Sequence, residues 1–353
     1  MKKVLIATAV IALLVYTQRA TIATQVLSKG IEMAMSTDIV ADLEDGLHLA
    51  LCGAGGPLPD PKRSGACVLV IAGDKLFVVD AGTNGLRNIN RMRYPTGRIE
   101  GVFLTHFHSD HIDGLGEMAT IRWVSEGNTS PLPVYGPEGV AQVVKGFNTA
   151  YAQDAVYRND HHGDAVAPPS GTGMVAHPFP LPASRELRTV FVDGDLTIQA
   201  LAVDHEPVNP AVAYLFTYKG RTILVSGDTA KSDNIEMYAQ DIDLLVHEAL
   251  SPQLVGIMNA AATKTGNAGM AKITFDILDY HASPVEAAET ARDAGVGHLL
   301  YYHIVPPLIF PGMEAAWLEG VDDVFSDYTM GRDGTTFSLP AGSKEIEITS
   351  KGF

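Results

Sequence analysis

The residues of this chain best suited to chemistry lie between Thr105 and Gly114, which read Thr-His-Phe-His-Ser-Asp-His-Ile-Asp-Gly. Three imidazoles and a carboxylate fall within six residues: His106, His108, Asp110 and His111. Neutral imidazole and carboxylate are ligands that zinc and similar divalent metals accept. The apolar segment Val102–Leu104 comes directly before this run, so we expect a buried strand whose end aims donors at two adjacent metal centres.

Three further metal-binding side chains follow apolar runs later in the chain. They are His205 after Leu196–Val203, Asp228 after Thr222–Val225, and His303 after His298–Tyr302. Each run has four to eight β-prone residues, which is typical of a strand whose edge feeds a loop. Open α/β sheets bind ligands outside the carboxyl ends of their strands. We therefore expect all these donors to meet at one edge of the fold.

The run from His106 to His111 resembles the His-x-His-x-Asp-His signature of the metallo-β-lactamase superfamily, and the later donors come in that family's order. The resemblance extends from about Leu47 to Pro340, nearly the whole chain after its amino-terminal segment. It implies an α/β fold, the four-layer αββα sandwich, in which two similar halves pack their sheets face to face with helices outside. A hydrophobic share of 46% supports a core of that size.

Within the superfamily the chain is most similar to the ribonuclease Z branch, the tRNA 3′-processing endonucleases and their relatives. Four segments carry this similarity: Leu51–Pro57, Asp80–Thr83, Leu245–Ala249 and His281–Pro284. The third resembles the branch's His-Glu-Ala segment, and the fourth resembles its histidine loop. The resemblance therefore implies that Glu248 pairs with His281 beside the metals.

This ligand set implies a hydrolase that holds two zinc ions. The first zinc would be held by His106, His108 and His205, the second by Asp110, His111 and His303, and Asp228 would bridge both. Two metals about 3.5–4 Å apart can share a hydroxide and hold it for in-line attack. Asp110 would also orient this nucleophile, while His281, oriented and made more basic by Glu248, would protonate the leaving group. Such a nucleophile attacks phosphorus, sulfur or acyl carbon, so the residues predict hydrolysis but not the substrate.

The residues after His281 predict a helix with a defined beginning and end. Ser283 is suited to the N-cap, Pro284 to the first helical position, and Glu286 to the third position of a capping box. Gly295 is the corresponding stop signal. We expect His281 to be held at the rim of this helix N-terminus.

One departure from the ribonuclease Z branch concerns the substrate. Its tRNA-processing members carry a long glycine- and proline-rich arm between the ligands that match His205 and Asp228. Here these residues are 23 positions apart, and Asn209–Gly220 reads as one strand and a turn. The chain has 25 Lys and Arg against 41 Asp and Glu, a net charge of −16, which disfavours a polyanion. We expect a small-molecule ester or lactam substrate and no nucleic-acid partner.

The amino-terminal residues resemble a secretory signal. Lys2 and Lys3 precede the apolar stretch Val4–Tyr16, and Thr21–Ala23 is a passable cleavage site. Thirteen apolar residues are short for a membrane span, which needs about 20. An uncleaved amino-terminal anchor is kept as the alternative to a cleaved leader. The prediction is a leader at 1–23, a single metallo-β-lactamase-fold domain at 24–353, and a periplasmic or secreted location. Contact with the membrane would occur only through an uncleaved leader, and a homodimer is left open.

Rival function classes differ in the residues that they require. A flavo-diiron oxidoreductase would carry glutamate in place of His108 and would add a flavin domain. A non-catalytic scaffold of the same fold would have lost ligands, whereas all seven are present. The remaining alternative is a periplasmic β-lactamase or lactonase that opens cyclic amides or esters, and such an enzyme has less need of the Glu248–His281 pair.

Two expectations concern the rest of the chain. Cys52 and Cys67 are the only cysteines, and their apolar, strand-like contexts favour buried free thiols over a disulfide. The polar, Pro- and Gly-rich stretch 152–182, which contains His161 and His162, reads as a loop that acts as a lid over the site. The loop 305–313 is apolar, so it is expected either to wall the cleft or to pack into the core.

Overall fold

The computed structural model describes residues 2–350 and, within them, all side chains except those at positions 2–7, 9–12, 14, 34 and 350. The chain divides into two compact units, 1–42 and 43–353. The first consists mainly of helix α1, Lys2–Ser36, which continues past the predicted leader boundary at residue 23. Most side chains of the predicted apolar core, Val4–Tyr16, lie outside the described residues. No helix in the described part combines the length and hydropathy needed to cross a bilayer. The leader and the domain boundary stay predictions.

The second unit is built on two mixed β-sheets. Eight strands form the first sheet: β1 Gly46–Gly53, β2 Cys67–Ala72, β3 Lys75–Val79, β4 Ile99–Phe103, β5 Leu132–Pro137, β6 Met174–Phe179, β14 Thr335–Pro340 and β15 Glu347–Ser350. Their order is β15-β14-β1-β2-β3-β4-β5-β6. Seven strands form the second sheet: β7 Arg188–Asp193, β8 Leu196–Ala202, β9 Val212–Tyr218, β10 Arg221–Val225, β11 Leu244–Leu250, β12 His298–Val305 and β13 Tyr328–Met330. Their order is β13-β12-β11-β10-β9-β8-β7.

The two sheets pack face to face around one apolar core. Side chains from the first sheet, such as Leu49 and Phe77, share a buried cluster with Ile198 and Phe216 of the second sheet. Strands β1, β2 and β11 are buried along their whole length, because each has a sheet on one face and helices or loops on the other. Their sequences are therefore mostly apolar rather than alternating, with His48 in β1 and His247 and Glu248 in β11 as buried polar exceptions.

Helices cover the outer faces of both sheets. The described helices of this unit are α2 Gly85–Arg91, α3 Ser109–Ile112, α4 Leu115–Glu126, α5 Val140–His162, α6 Asp233–Tyr238, α7 Pro252–Thr265, α8 Ala268–Asp276, α9 Pro284–Ala294 and α10 Met313–Trp317. Residues of α6, α9 and α10 bury a second apolar cluster against the second sheet. The predicted four-layer αββα sandwich is confirmed.

Helix α9 begins and ends where the sequence predicts. The Ser283 side chain accepts a hydrogen bond from the Glu286 backbone N–H, and the Glu286 carboxylate accepts one from the Ser283 N–H. Pro284 occupies the first helical position, and Gly295 ends the helix in the left-handed conformation, with φ at 66°. This reciprocal capping fixes the chain two residues after His281.

The prediction about the cysteines is wrong, because Cys52 and Cys67 form a disulfide. Strands β1 and β2 are antiparallel neighbours, and their register shifts between Leu51 and Gly53. The regular pairing from Leu47–Ala72 to Leu51–Val68 leads to Cys52 opposite Cys67, and their Cα atoms lie 5.0 Å apart where the bulge begins. The apolar context of each cysteine showed that it is buried but not that the two are adjacent.

Candidate metal centre

The predicted donors meet at one edge of the two sheets, as expected from the strand ends. The segment from His106 to His111 follows β4, His205 follows β8, and Asp228 follows β10. His303 differs from the expectation that it follows its strand, because it lies within β12 at an irregularity that leaves it out of the pairing with β11. Its φ of 43° is in the left-handed region, so the bulge redirects its ring toward the other donors.

A first group of donors surrounds one oxygen of Asp228. His106 Nε2 and His108 Nδ1 approach each other to 3.0 Å. Asp228 Oδ2 lies 3.8 Å from His106 Nε2 and 3.9 Å from His205 Nε2. The four residues offer ligand atoms that all lie within 4.8 Å of one another. This group matches the set expected for the first metal, with Asp228 as the shared ligand.

The second group lies on the other side of Asp228. Asp110 Oδ2 is 3.2 Å from His303 Nε2 and 3.7 Å from His111 Nε2. Asp228 approaches both imidazoles, with Oδ1 3.3 Å from His111 Nε2 and Oδ2 3.3 Å from His303 Nε2. Asp228 therefore contacts both groups, as a bridging carboxylate must. A third combination also exists, because His281 comes within the same range of Asp228 and His303.

The donor atoms of this cluster fit a bound cation. Among the described residues, His111 Nε2, His205 Nε2 and Asp228 Oδ1 are buried and have no hydrogen-bond partner. Buried polar atoms are costly unless they are paired, so native proteins rarely leave several together. All three belong to the two donor groups. The chemistry of the set, imidazole and carboxylate without thiolate, suits a divalent metal such as zinc.

The electrostatics of the cluster also suit metal binding. Burial, helped by the neighbouring His281 and His108, lowers the pKa of His205 to about 4. Burial lowers the pKa of His106 well below its usual value, so both rings are neutral at physiological pH. Burial acts to raise the pKa of Asp228, but the nearby His111 and His303 outweigh it and hold that pKa well below its usual range. At His111 and His303 burial also acts to lower the pKa, but the nearby Asp228 carboxylate outweighs it and raises the pKa of both rings.

Asp80 holds two residues of the donor segment by hydrogen bonds, a role that no sequence motif predicted. Its Oδ2 accepts hydrogen bonds from His111 Nδ1 and from the Thr105 hydroxyl, both at 2.8 Å, and its Oδ1 accepts one from the Thr105 N–H. A carboxylate on the far ring nitrogen fixes the tautomer of a metal-binding histidine. Its position could have indicated this role, because Asp80 directly follows strand β3 at the same edge of the sheet as the donors.

The predicted Glu248–His281 pair is present. His281 Nδ1 lies 2.9 Å from Glu248 Oε1, which also accepts hydrogen bonds from the backbone N–H groups of Thr229 and Ala282. The Glu248 side chain is fully buried, and that of His281 is 7% exposed. Burial lowers the pKa of His281 and raises that of Glu248. Glu248 thus orients the ring as expected, but the pKa of His281 moves opposite to the expected increase in basicity.

A cavity of about 390 Å³ opens from the cluster toward solvent. His108, Asp110, Asp228, His281 and His303 line its inner end. Helices α7 and α8 form its roof, and no motif in their sequences predicted a part in the site.

The expectation of a lid at 152–182 is wrong. The first part of that stretch is the end of helix α5, where His161 and His162 are exposed, and the last part includes strand β6. No described residue from 152–182 lines the cavity. Of the later apolar loop, Val305 and Pro306 line the cavity, and Leu308 is buried in the apolar cluster beside the second sheet. Ile309 and Phe310 are exposed, and Trp317 in helix α10 donates its indole N–H to the Val305 carbonyl. Both expectations for that loop are therefore met, each by different residues.

Comparison with known proteins agrees with this geometry. Residues 76–304 match the family described as the beta-lactamase superfamily domain. Ribonuclease Z of Mycobacterium bovis (strain BCG / Pasteur 1173P2) is 35% identical over 273 residues, which covers 77% of this chain and 90% of that protein. Among solved structures, the metallo-β-lactamase fold protein YhfI from Bacillus subtilis superposes with a TM-score of 0.58 at 21% identity, covering 83% of this chain and 99% of that one. The short form of human tRNase Z has the same TM-score at 19% identity, with the same coverage. At these identities the two structures show the fold alone.

The chain belongs to the metallo-β-lactamase superfamily, and it is a hydrolase of that class with a His and Asp cluster able to hold a divalent metal. Its 35% identity to a full-length relative assigns it more narrowly to the homologues of ribonuclease Z.

Proposed function

We propose that the protein is an exported di-zinc hydrolase that cleaves small phosphodiesters or sulfate esters. The observation that carries this proposal is the pair of donor groups that share Asp228, because one tetrahedral zinc needs only four ligands and seven are gathered here. His106, His108 and His205 would hold one zinc, and Asp110, His111 and His303 the other. When bound, the metals would activate a water molecule and stabilise negative charge on the attacked ester.

The chain's own residues account for orientation and proton transfer. Asp110 faces His303 at 3.2 Å on the wall of the cavity, from where its carboxylate can accept a hydrogen bond from the attacking water. His281 bonds to Glu248 through Nδ1, so Nε2 is the nitrogen left to protonate a leaving oxygen. Burial lowers the pKa of His281, so its protonated form is a stronger acid than an ordinary imidazolium. The Glu248 carboxylate, held by two backbone N–H groups, keeps the ring aimed at the cavity.

Three features favour a small substrate over tRNA, even though the relatives are named ribonuclease Z. Between His205 and Asp228 the described chain has strands β9 and β10 joined by Lys219 and Gly220, which leaves no room for a long arm. The net charge is −16. The described residues that line the cavity include no Lys or Arg to neutralise a phosphate backbone.

Two features favour export. The amino-terminal residues have the charge and hydropathy pattern of a secretory leader. The second, independent feature is the disulfide between Cys52 and Cys67, because disulfides form and persist mainly outside the reducing cytosol. A fusion of residues 1–45 to a reporter that is active only in the periplasm should give activity, and a fusion without the first 23 residues should not. Equal reporter activity from both fusions would contradict export.

The alternative is hydrolysis of a cyclic ester. The apolar cavity favours a lactone over a lactam that bears a carboxylate, because no cationic side chain among its described lining residues would pair with the carboxylate.

A substrate panel separates these functions. Zinc-loaded protein is given bis(4-nitrophenyl) phosphate, 4-nitrophenyl sulfate, a γ-lactone, a cephalosporin and a precursor tRNA. We expect turnover of the phosphodiester or the sulfate and no multiple-turnover cleavage of tRNA at physiological salt. Turnover of the lactone or cephalosporin alone, or efficient tRNA processing, would refute the proposal.

A further inference from the structure

The roof of the cavity is a helical hairpin whose two helices are capped and joined by side-chain hydrogen bonds. Ser251 caps α7 by accepting a hydrogen bond from the Leu254 N–H, and Asn267 caps α8 by accepting one from the Met270 N–H. The Asn259 side chain, on α7, donates hydrogen bonds to the Ala271 carbonyl, at 2.6 Å, and to the Thr274 hydroxyl, at 3.0 Å, both on α8. These contacts across the hairpin hold the two helices in one arrangement.

The inner face of this hairpin is apolar. Met258 on α7, Met270 and Ile273 on α8, and Ile277 just after it all line the cavity. Leu58 and Val305 line it as well. Thioether side chains are unbranched and polarisable, so they adapt to apolar groups of different shapes. The surface that faces the cluster therefore favours hydrocarbon over a charged or strongly hydrated group.

The cavity also limits the size of its occupant. Its volume of about 390 Å³ corresponds to roughly 13 water molecules at ~30 Å³ each. A short alkyl chain or one aromatic ring fits this space, whereas a nucleic-acid strand does not. The cavity is continuous with Asp110, Asp228, His281 and His303, so a group bound there remains attached to an ester at the cluster.

We propose that the cavity under the α7–α8 hairpin binds an uncharged alkyl or aryl substituent of the substrate, and that Met258, Met270, Ile273 and Ile277 select for it. This inference rests on the proposed function, because it assumes that the phosphoryl or sulfuryl group lies at the metal cluster. It adds that the substrate is amphiphilic, with a compact anionic head and one short apolar group.

Binding of alkylphosphonates tests the proposal without turnover. Methyl-, ethyl-, propyl- and butylphosphonate are titrated calorimetrically into zinc-loaded protein, so that the head group stays constant while the apolar group grows. Burial of a methylene strengthens binding about three- to fourfold, so butylphosphonate should bind roughly 30- to 60-fold more tightly than methylphosphonate. Its heat capacity of binding should also be more negative.

Two isoleucines provide matched variants. Ile273 is 57% exposed and lines the cavity, whereas Ile257 is 62% exposed and does not. Because both lie on the surface of the same hairpin, replacement by Asn should leave the fold intact in each case. We expect Ile273→Asn to reduce the preference for butyl over methyl to less than about tenfold, with methylphosphonate binding unchanged. Ile257→Asn should retain the full preference.

The outcomes distinguish this inference from the proposed function. Phosphonate affinity that does not depend on chain length would overturn the inference even in a protein that hydrolyses phosphodiesters. An equal loss in both variants would also overturn it, since the preference would then reflect general surface hydrophobicity. A protein that binds butylphosphonate as expected but hydrolyses neither phosphodiesters nor sulfate esters would leave the cavity assignment standing and refute the proposed function.

Discussion

Replacing His281 with alanine should separate proton transfer from metal binding. His281 Nδ1 is held by Glu248 at 2.9 Å, and the ring lines the cavity beside Asp228. General acid catalysis contributes typically 10²–10⁴-fold, which corresponds to about 3–5 kcal/mol of transition-state stabilisation. We expect that loss for an alkoxide leaving group, which needs a proton. We expect a much smaller loss for nitrophenolate, which leaves without one.

The structure predicts that the damage from this substitution is local. Glu248 Oε1 keeps the hydrogen bonds from the Thr229 and Ala282 N–H groups when the imidazole is removed. The carboxylate therefore stays anchored, and the ligands on the far side of the cluster are untouched. The Glu248→Gln variant retains an oxygen that can accept from His281, so it should show the same selectivity in weaker form, about tenfold.

A leaving-group series gives the assay. Turnover of methyl phosphodiesters is measured with nitrophenol, phenol and an alkyl alcohol as leaving groups, for the wild type and both variants. The dependence of rate on leaving-group pKa should be steeper in His281→Ala, and zinc content by mass spectrometry should match the wild type. Equal losses for every leaving group would refute the reasoning. Loss of a metal equivalent would show instead that His281 is a ligand, which its closeness to Asp228 and His303 allows.

Three further predictions test the site and its support. The wild type should hold two zinc equivalents and lose its activity when a chelator is added. Asp228→Ala should lower the metal content more than Asp110→Ala does, because Asp228 contacts both donor groups. Asp80→Ala should weaken metal binding about 10- to 100-fold in a chelator competition, because it frees His111 Nδ1. Replacing Cys52 and Cys67 with serine should lower the free energy of unfolding in urea by ~3 kcal/mol, given their separation of 15 residues.

The following results would contradict these predictions, and the reduced wild type serves as a control for the serine variant. A single zinc equivalent in the wild type, with Asp110→Ala harmless, would contradict the two-metal assignment. Unchanged affinity in Asp80→Ala would mean that packing alone orients His111. The reduced wild type should unfold at the same urea concentration as the double serine variant, and a large difference between them would show that the serine side chains disturb the core.

Most of the candidate metal ligands could be predicted because they follow a local pattern. A strand ends, a donor follows, and parallel strands bring their carboxyl ends to the same edge of the sheet. His106, His108, His205 and Asp228 all follow this rule. His303 does not, because a bulge within β12 turns it toward the site, and no periodicity in the apolar run that contains it marks that irregularity.

The roof of the cavity could not be predicted in the same way. The apolar residues of α7 and α8 are typical of any amphipathic hairpin, and most such residues pack into a core. The cluster of Leu250, Val255 and Val305 fixes the hairpin to the ends of β11 and β12, which lie far apart in the sequence. Only that long-range packing directs Met258 and Met270 to the cluster of His and Asp side chains rather than to the protein interior.

The disulfide depends on one residue of register. In a regular antiparallel pair, side chains alternate between the two faces, so a shift of one residue moves a side chain to the opposite face. Leu51 pairs with Val68 and Gly53 with Cys67, which leaves Cys52 as the extra residue of the bulge. The regular pairing that ends at Leu51–Val68 leads to Cys52 opposite Cys67, so a slip of one residue along either strand would keep the same composition and hydropathy but separate the two thiols. The burial of each thiol could therefore be predicted from the sequence, whereas their pairing could be seen only from the register of the two strands. The resulting disulfide supports the proposal of export independently of the leader.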